Sequence, residues 1–138
     1  LNEMEGKHLD ARGQGEYTYD YRNDILLFKI KNREYIMSIE FENLIVDIDK
    51  EGYITGLRIF DASQLFRLDR VALKDVKSFE FSTKVETKTG TKENKIITIQ
   101  LRFIPMFRNK PMIRQGQDIQ REAFSTQIKN SEVLCTVA

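Results

Sequence analysis

Apolar and polar residues alternate with a period of two along most of this chain, the pattern of strands with one face buried and one face wet. Tyr17, Tyr19 and Tyr21 share one face of a first segment, with Glu16, Thr18 and Asp20 opposite. After a turn at Arg22-Asn23-Asp24, residues 25–30 are too apolar to show a wet face, which predicts a central strand covered on both sides. Lys31-Asn32-Arg33-Glu34 forms the next turn. Tyr35, Met37, Ile39 and Phe41 then line one face against Ser38 and Glu40, and Glu42-Asn43 separates them from a strand over residues 44–48.

The sharpest local signal is Asp49-Lys50-Glu51-Gly52, a short polar loop ending in glycine between two apolar strands. It predicts a hairpin in which Gly52 takes the left-handed conformation. On the return strand, residues 53–60, Ile54 has the opposite parity to Leu57 and Ile59. A β-bulge near Thr55-Gly56 adds one residue and brings all three onto one face. Asp61-Ala62-Ser63-Gln64 predicts the start of a short helix, with Asp61 as N-cap. A second short turn follows Asp69, so one or two short helices fall around residues 61–75.

Residues 77–86 alternate again, with Phe79, Phe81, Thr83 and Val85 on one face. A polar loop around Gly90 leads to residues 95–104, where Ile97, Ile99, Leu101 and Phe103 face inward. Pairing Val85 with Ile97 sets Phe81 opposite Leu101 and Glu80 opposite Arg102, a register that cross-strand pairs favour by about 0.2–1 kcal/mol each. Pro105 and Pro111 bracket a stretch without periodicity, and residues 105–122 read as a loop. Residues 123–128 and 133–137 read as a last hairpin. The whole is mostly β with a minor α contribution: an antiparallel β-meander of seven or eight strands.

Composition adds three points. Length and the balance of 41% apolar to 31% charged residues fit a single β-rich domain over residues 16–138; residues 1–15, where glycines such as Gly13 and Gly15 stand among charges without periodicity, read as a flexible arm. No apolar run approaches the roughly 20 residues of a membrane-spanning helix. The single cysteine, Cys135, has no partner for an internal disulfide, and no secretory signal stands at the start, so a cytoplasmic protein is expected. The net charge of +1 hides a split: residues 1–69 carry 9 Lys+Arg against 14 Asp+Glu, and residues 70–138 carry 13 against 7. Such asymmetry marks a binding face or two halves that attract each other.

Several residues together resemble a known family. Tyr19-Asp20, Asp24, Leu26 and Phe28 lead to the run Ile45-Val46-Asp47-Ile48-Asp49-Lys50-Glu51-Gly52, then Ile54, Gly56-Leu57, Ile59 and Asp61-Ala62-Ser63. In order and spacing, this set resembles DUF2283, a small prokaryotic domain family. The family-like part spans about residues 16–68, and residues 69–138 are an extension. The resemblance implies a compact β-rich unit with no known enzyme activity. Some members resemble partners encoded beside small toxins, which implies a regulatory binding role without naming a site.

Candidate chemistry is sparse. Asp47 to Gly52 copies the first half of a helix–loop–helix calcium loop. The twelfth position, where a bidentate carboxylate is required, holds Arg58, so the acids read as a hairpin turn and not as a metal site. His8 and Cys135 are the one histidine and one cysteine; they form a nucleophile pair only if both ends of the chain are pinned together. Glycine-rich phosphate loops are missing, and no cofactor is expected. The most suggestive segment is 95–114, which holds Lys95, Arg102, Arg108, Lys110 and Arg114 with Phe103 and Phe107 interleaved and no acid. Cations beside aromatics suit nucleic acid, although a sequence pI of 8.0 is low for that role. The leading expectation is a non-catalytic protein-interaction module, with a protein partner or a second copy, because a long set of strands leaves edges that must be covered. A nucleic-acid-binding sheet is the alternative.

Overall fold

The structure, a computed structural model, describes residues 7–125 and 128–137. Among the described residues ten strands form one sheet: β1 (Lys7–Asp20), β2 (Ile25–Ile30), β3 (Tyr35–Phe41), β4 (Leu44–Asp49), β5 (Ile54–Phe60), β6 (Val76–Thr87), β7 (Asn94–Phe107), β8 (Lys110–Pro111), β9 (Gln115–Phe124) and β10 (Ser131–Val137). A short helix α1 (Ala62–Phe66) and a 3-10 turn (Arg70–Leu73) lie between β5 and β6. The spatial order is β3-β4-β5-β2-β1-β10-β6-β7-β8, with β9 also pairing β7. A mostly β, mostly antiparallel protein is what the alternation predicted. Four pairings depart from simple succession: β2 lies beside β5, β10 lies beside β6, β9 pairs β7, and β1 runs parallel to β10, so the first and last strands meet at the middle of the sheet.

That parallel seam overturns the flexible-arm reading for residues 7–15. Residues 7–15 are strand: Lys7 to Ala11 pair with Ser131 to Cys135, and Gly13, at φ +78, sits where the register shifts before Gly15 pairs Val137. Residues 1–6 lie outside the described residues. The glycines that suggested an unstructured arm serve this strand. Gly13 donates its N–H to Thr136 Oγ1 at 2.8 Å, and Gly15 marks a close approach. A Cβ on Gly15 would lie 2.8 Å from both Phe28 Cζ and Cys135 Sγ.

The sheet as a whole is curled. β2 and β6 are three strand positions apart, about 14 Å along a flat sheet. Yet the Phe28 ring centre is 4.6 Å from that of Phe79 and 4.7 Å from that of Phe81. The sheet therefore closes over its own inner face. The aromatic chain continues from Phe79 to Phe103 and on to Phe66 of α1, and Leu26, Ile48, Leu57, Ile59, Ile97 and Ile99 pack around it. β2 shows the inward face only: Leu26, Phe28 and Ile30 are buried while Lys29 is exposed, so it is central but not covered on both sides.

The β6–β7 register is the predicted one, with Val85 opposite Ile97, Phe81 opposite Leu101 and Glu80 opposite Arg102. The predicted bulge is also present. Asp47 pairs Gly56 and Ile48 pairs Ile54, leaving Thr55 as the extra residue, and Ile54, Leu57 and Ile59 are all buried. Residues 105–122 are not a loop. β7 runs through Pro105 to Phe107, a turn at Arg108-Asn109 with both φ values positive reverses the chain, and β9 pairs back along β7. Nor do residues 123–128 and 133–137 form a hairpin: β9 ends beside β7 while β10 sits between β6 and β1, and Thr126 and Gln127 are outside the described residues.

Candidate functional site

The family-like residues converge on two polar clusters. In the first, the acids of the β4–β5 hairpin meet arginines of their own sheet. Asp49 is buried; its Oδ1 accepts the N–H groups of Glu51 at 2.9 Å and Tyr53 at 3.0 Å, and its Oδ2 accepts Arg33 Nη1 at 2.7 Å. Gly52 has φ +89, and a Cβ there would fall 2.2 Å from Lys129 Cγ, so both backbone and space require glycine. Asp47 Oδ1 accepts Ser38 Oγ and Arg58 Nη2, each at 2.6 Å. The hydrogen bond to Asp47 raises the pKa of Arg58. Arg58 also lies over the Tyr35 ring, and Arg33 over the Tyr53 ring. The acids that imitate a calcium loop are thus held by Arg58 and Arg33. Among the described residues no three His, Cys, Asp or Glu side chains are grouped to hold a metal ion.

The second cluster corrects the predicted cap. Asp61 occupies the N-cap position of α1 at φ +54 but makes no side-chain cap bond. The capping carboxylate comes instead from Asp24, in the β1–β2 turn. Its Oδ1 accepts Ser63 N–H at 2.9 Å and the Tyr19 hydroxyl at 2.5 Å, and its Oδ2 accepts Ser63 Oγ at 2.6 Å. The Asp24 carbonyl accepts Ala62 N–H at 3.1 Å, and Arg70 Nε stands 3.8 Å from its Oδ2. Burial pushes the Asp24 pKa up, but the bonds from Ser63 and Tyr19 outweigh it and hold it below 3.8. The sequence reading gave Asp24 only a turn; the one signal for more was that Tyr19, Asp24 and Ser63 all belong to the family-like set.

The five cations of residues 95–114 do not form one patch. Lys95 points to Thr87 Oγ1 and Asn130 Oδ1, both at 3.0 Å, and burial lowers its pKa, helped by nearby Lys129. Arg102 pairs Asp118 at 3.0 Å and Arg114 pairs Glu80 at 2.9 Å. Glu80 thus lies opposite Arg102 in register yet takes Arg114 as its partner. Phe103 is buried in the core. Arg108 and Lys110 are brought together at the β7–β8 tip, where they are exposed with no ion pair among the described residues, Arg108 lying 5.1 Å over Phe107. His8 and Cys135 do sit on adjacent strands, but His8 pairs Glu132 and Cys135 pairs Ala11, about 10 Å apart along the strand. His8 is exposed, and burial pushes the Cys135 thiol up to about 12.

The two edges of the sheet differ. β9 is mostly polar, with Gln115, Gln117, Asp118, Gln120, Arg121 and Glu122 ahead of an exposed Phe124 at its end, and it leans on α1 through Gln117 Nε2 to the Leu65 carbonyl at 3.1 Å. β3 is apolar and, among the described residues, pairs only β4. Its register shift makes Ile36 an extra residue, and Tyr35 and Ile36 are 54% and 66% exposed. Glu34, Glu40 and Glu42 flank this edge, all exposed and without ion pairs among the described residues.

These features define a curled, mostly antiparallel β protein whose distinctive polar residues lock turns and a helix in place. The family model described as a protein of unknown function, DUF2283, matches residues 16–63, and the chain belongs to that family. An uncharacterized protein of Methanocaldococcus jannaschii is 30% identical over 99 residues, 71% of this chain and 79% of that protein. A Methanosarcina mazei protein named "Putative hypoxanthine phosphoribosyltransferase" is 37% identical over 65 residues, 47% of this chain. The match spans 53% of that relative, about half its length. No solved structure matches the chain.

Proposed function

We propose that this chain is a non-catalytic protein-interaction module that associates through strand β3. The observation that carries the reading is the contrast between edges: β9 is polar along its length up to Phe124 at its end and leans on α1, while β3 presents Tyr35 and Ile36 beside open backbone groups. Unpaired N–H and C=O groups on an apolar edge favour addition of another strand. The buried thiol and the fully engaged acids Asp24, Asp47 and Asp49 suit structural roles better than acid–base or nucleophilic ones. The name of the M. mazei relative belongs to a protein of which this chain matches about half, and its activity is not carried over.

Light scattering after size exclusion tests this. The full chain is expected above its monomer mass of 16.2 kDa, and Ile36→Lys is expected to return it to monomer with its melting temperature unchanged. A wild-type chain that stays monomeric at high micromolar concentration sinks the self-associating form. The nucleic-acid reading is weaker, because two of the five cations of residues 95–114 are neutralised by Asp118 and Glu80.

A further inference from the structure

The β7–β8 tip extends past its neighbours. β6 pairs β7 no further than Pro105, and β9 begins opposite Phe103, so residues 106–112 form a two-stranded ribbon. Such a ribbon is marginal in water unless something packs on it. This one exposes Phe107 at 38%, Met112 at 39% and neighbouring Ile113 at 82%, together with Arg108 and Lys110. Its backbone is poorly suited to strand addition at Pro111, which has no N–H. It therefore offers side chains: an apolar surface crowned by two cations.

Resting on the reading of β3 as the associating edge, we infer that the occupant of that edge is the β7–β8 tip of a second copy of this chain. The two surfaces are complementary in kind. The edge carries exposed Tyr35 and Ile36 flanked by Glu34, Glu40 and Glu42; the tip carries Phe107, Met112 and Ile113 with Arg108 and Lys110. Pairing two β3 strands with each other about Ser38 would instead set Glu34 opposite Glu42 twice and bring six acids together, an arrangement that like-charge repulsion disfavours. Exchange of tips between two copies places a cation pair against an acidic edge in both contacts. The chain's division into an acidic first half and a basic second half is thereby used across the dimer.

Charge exchange tests this on the full chain by light scattering, with thermal melts to confirm folding. Arg108→Glu/Lys110→Glu is expected to weaken dimerisation at least tenfold, and Glu40→Lys/Glu42→Lys to do the same. An equimolar mixture of the two variants is expected to recover the dimer mass, since each contact is again complementary. If Ile36→Lys gives a monomer while the tip variant keeps the wild-type dimer, the edge reading stands and this inference is overturned. A monomeric wild type overturns both. If the wild type is monomeric and binds a single-stranded oligonucleotide at low salt in a way that Arg108→Glu/Lys110→Glu removes, the tip serves nucleic acid and the inference is likewise overturned.

Discussion

The half of the sheet built from residues 16–63 and the half built from residues 76–124 use their polar side chains differently. In the first, Asp24, Asp47 and Asp49 are buried and each accepts two or three hydrogen bonds that fix a turn, a helix end or a neighbouring strand. In the second, the ion pairs lie outside: Arg114–Glu80 and Lys88–Glu122 leave both partners well exposed. That half is held by regular alternation and by the Phe79–Phe103 stack. The family match, over residues 16–63, falls on the half that holds these buried carboxylates. A buried carboxylate with fixed partners tolerates few replacements, whereas alternation can be satisfied by many sequences.

The largest test of this contrast is Asp24→Ala. It removes a buried carboxylate and leaves the half-buried Tyr19 hydroxyl and Ser63 N–H and hydroxyl without their acceptor, and a loss of about 3 kcal/mol is expected in denaturant unfolding. A loss under about 1 kcal/mol would show that water replaces the carboxylate. Asp24→Asn sharpens the point through pH. Because the native pKa lies below 3.8, the charge contributes its full stability above that pH and loses it as the pH falls through the native value. The variant should therefore flatten the acid side of the stability curve, and an unchanged acid limb would place the sensitivity elsewhere.

Next in size, Asp47→Ala should cost about 2–3 kcal/mol by leaving Arg58 and Ser38 without their acceptor, although Arg58 is partly solvated. Gly15→Ala acts on the seam between the halves. Its methyl would meet Phe28, Cys135 and the Thr136 carbonyl below 3 Å, and about 2 kcal/mol of overpacking is expected. Thermal melts of these two separate polar anchoring from close packing. Smallest should be Arg114→Ala, which breaks an exposed pair and should shift stability by about 0.5 kcal/mol or less. A cost near that of Asp47→Ala would erase the contrast between halves.

Much of the fold was legible because it is local. The Gly52 turn, the bulge at Thr55 and the β6–β7 register follow from parity and loop chemistry over a few residues. Two local rules misled. Glycines at positions 13 and 15 suggested an arm, and Asp61 suggested a cap, because composition and position carry no information about distant neighbours. The missed residue with the clearest role is Asp24, whose partner Ser63 is 39 positions away.

The sequence by itself determined strand identity, facing and turn geometry, since these depend on period-two alternation and on the φ preferences of single residues. It also determined the charge split that motivates a dimer. Only the tertiary structure decided which strands distant in sequence are neighbours. The parallel seam of β1 with β10 and the placing of β2 beside β5 depend on how one curled sheet buries Phe28 against Phe79 and Phe81, a contact between segments about fifty residues apart. That same curl leaves β3 as the apolar edge and the β7–β8 tip outside the sheet, so the surfaces on which function is proposed exist only once the chain has closed.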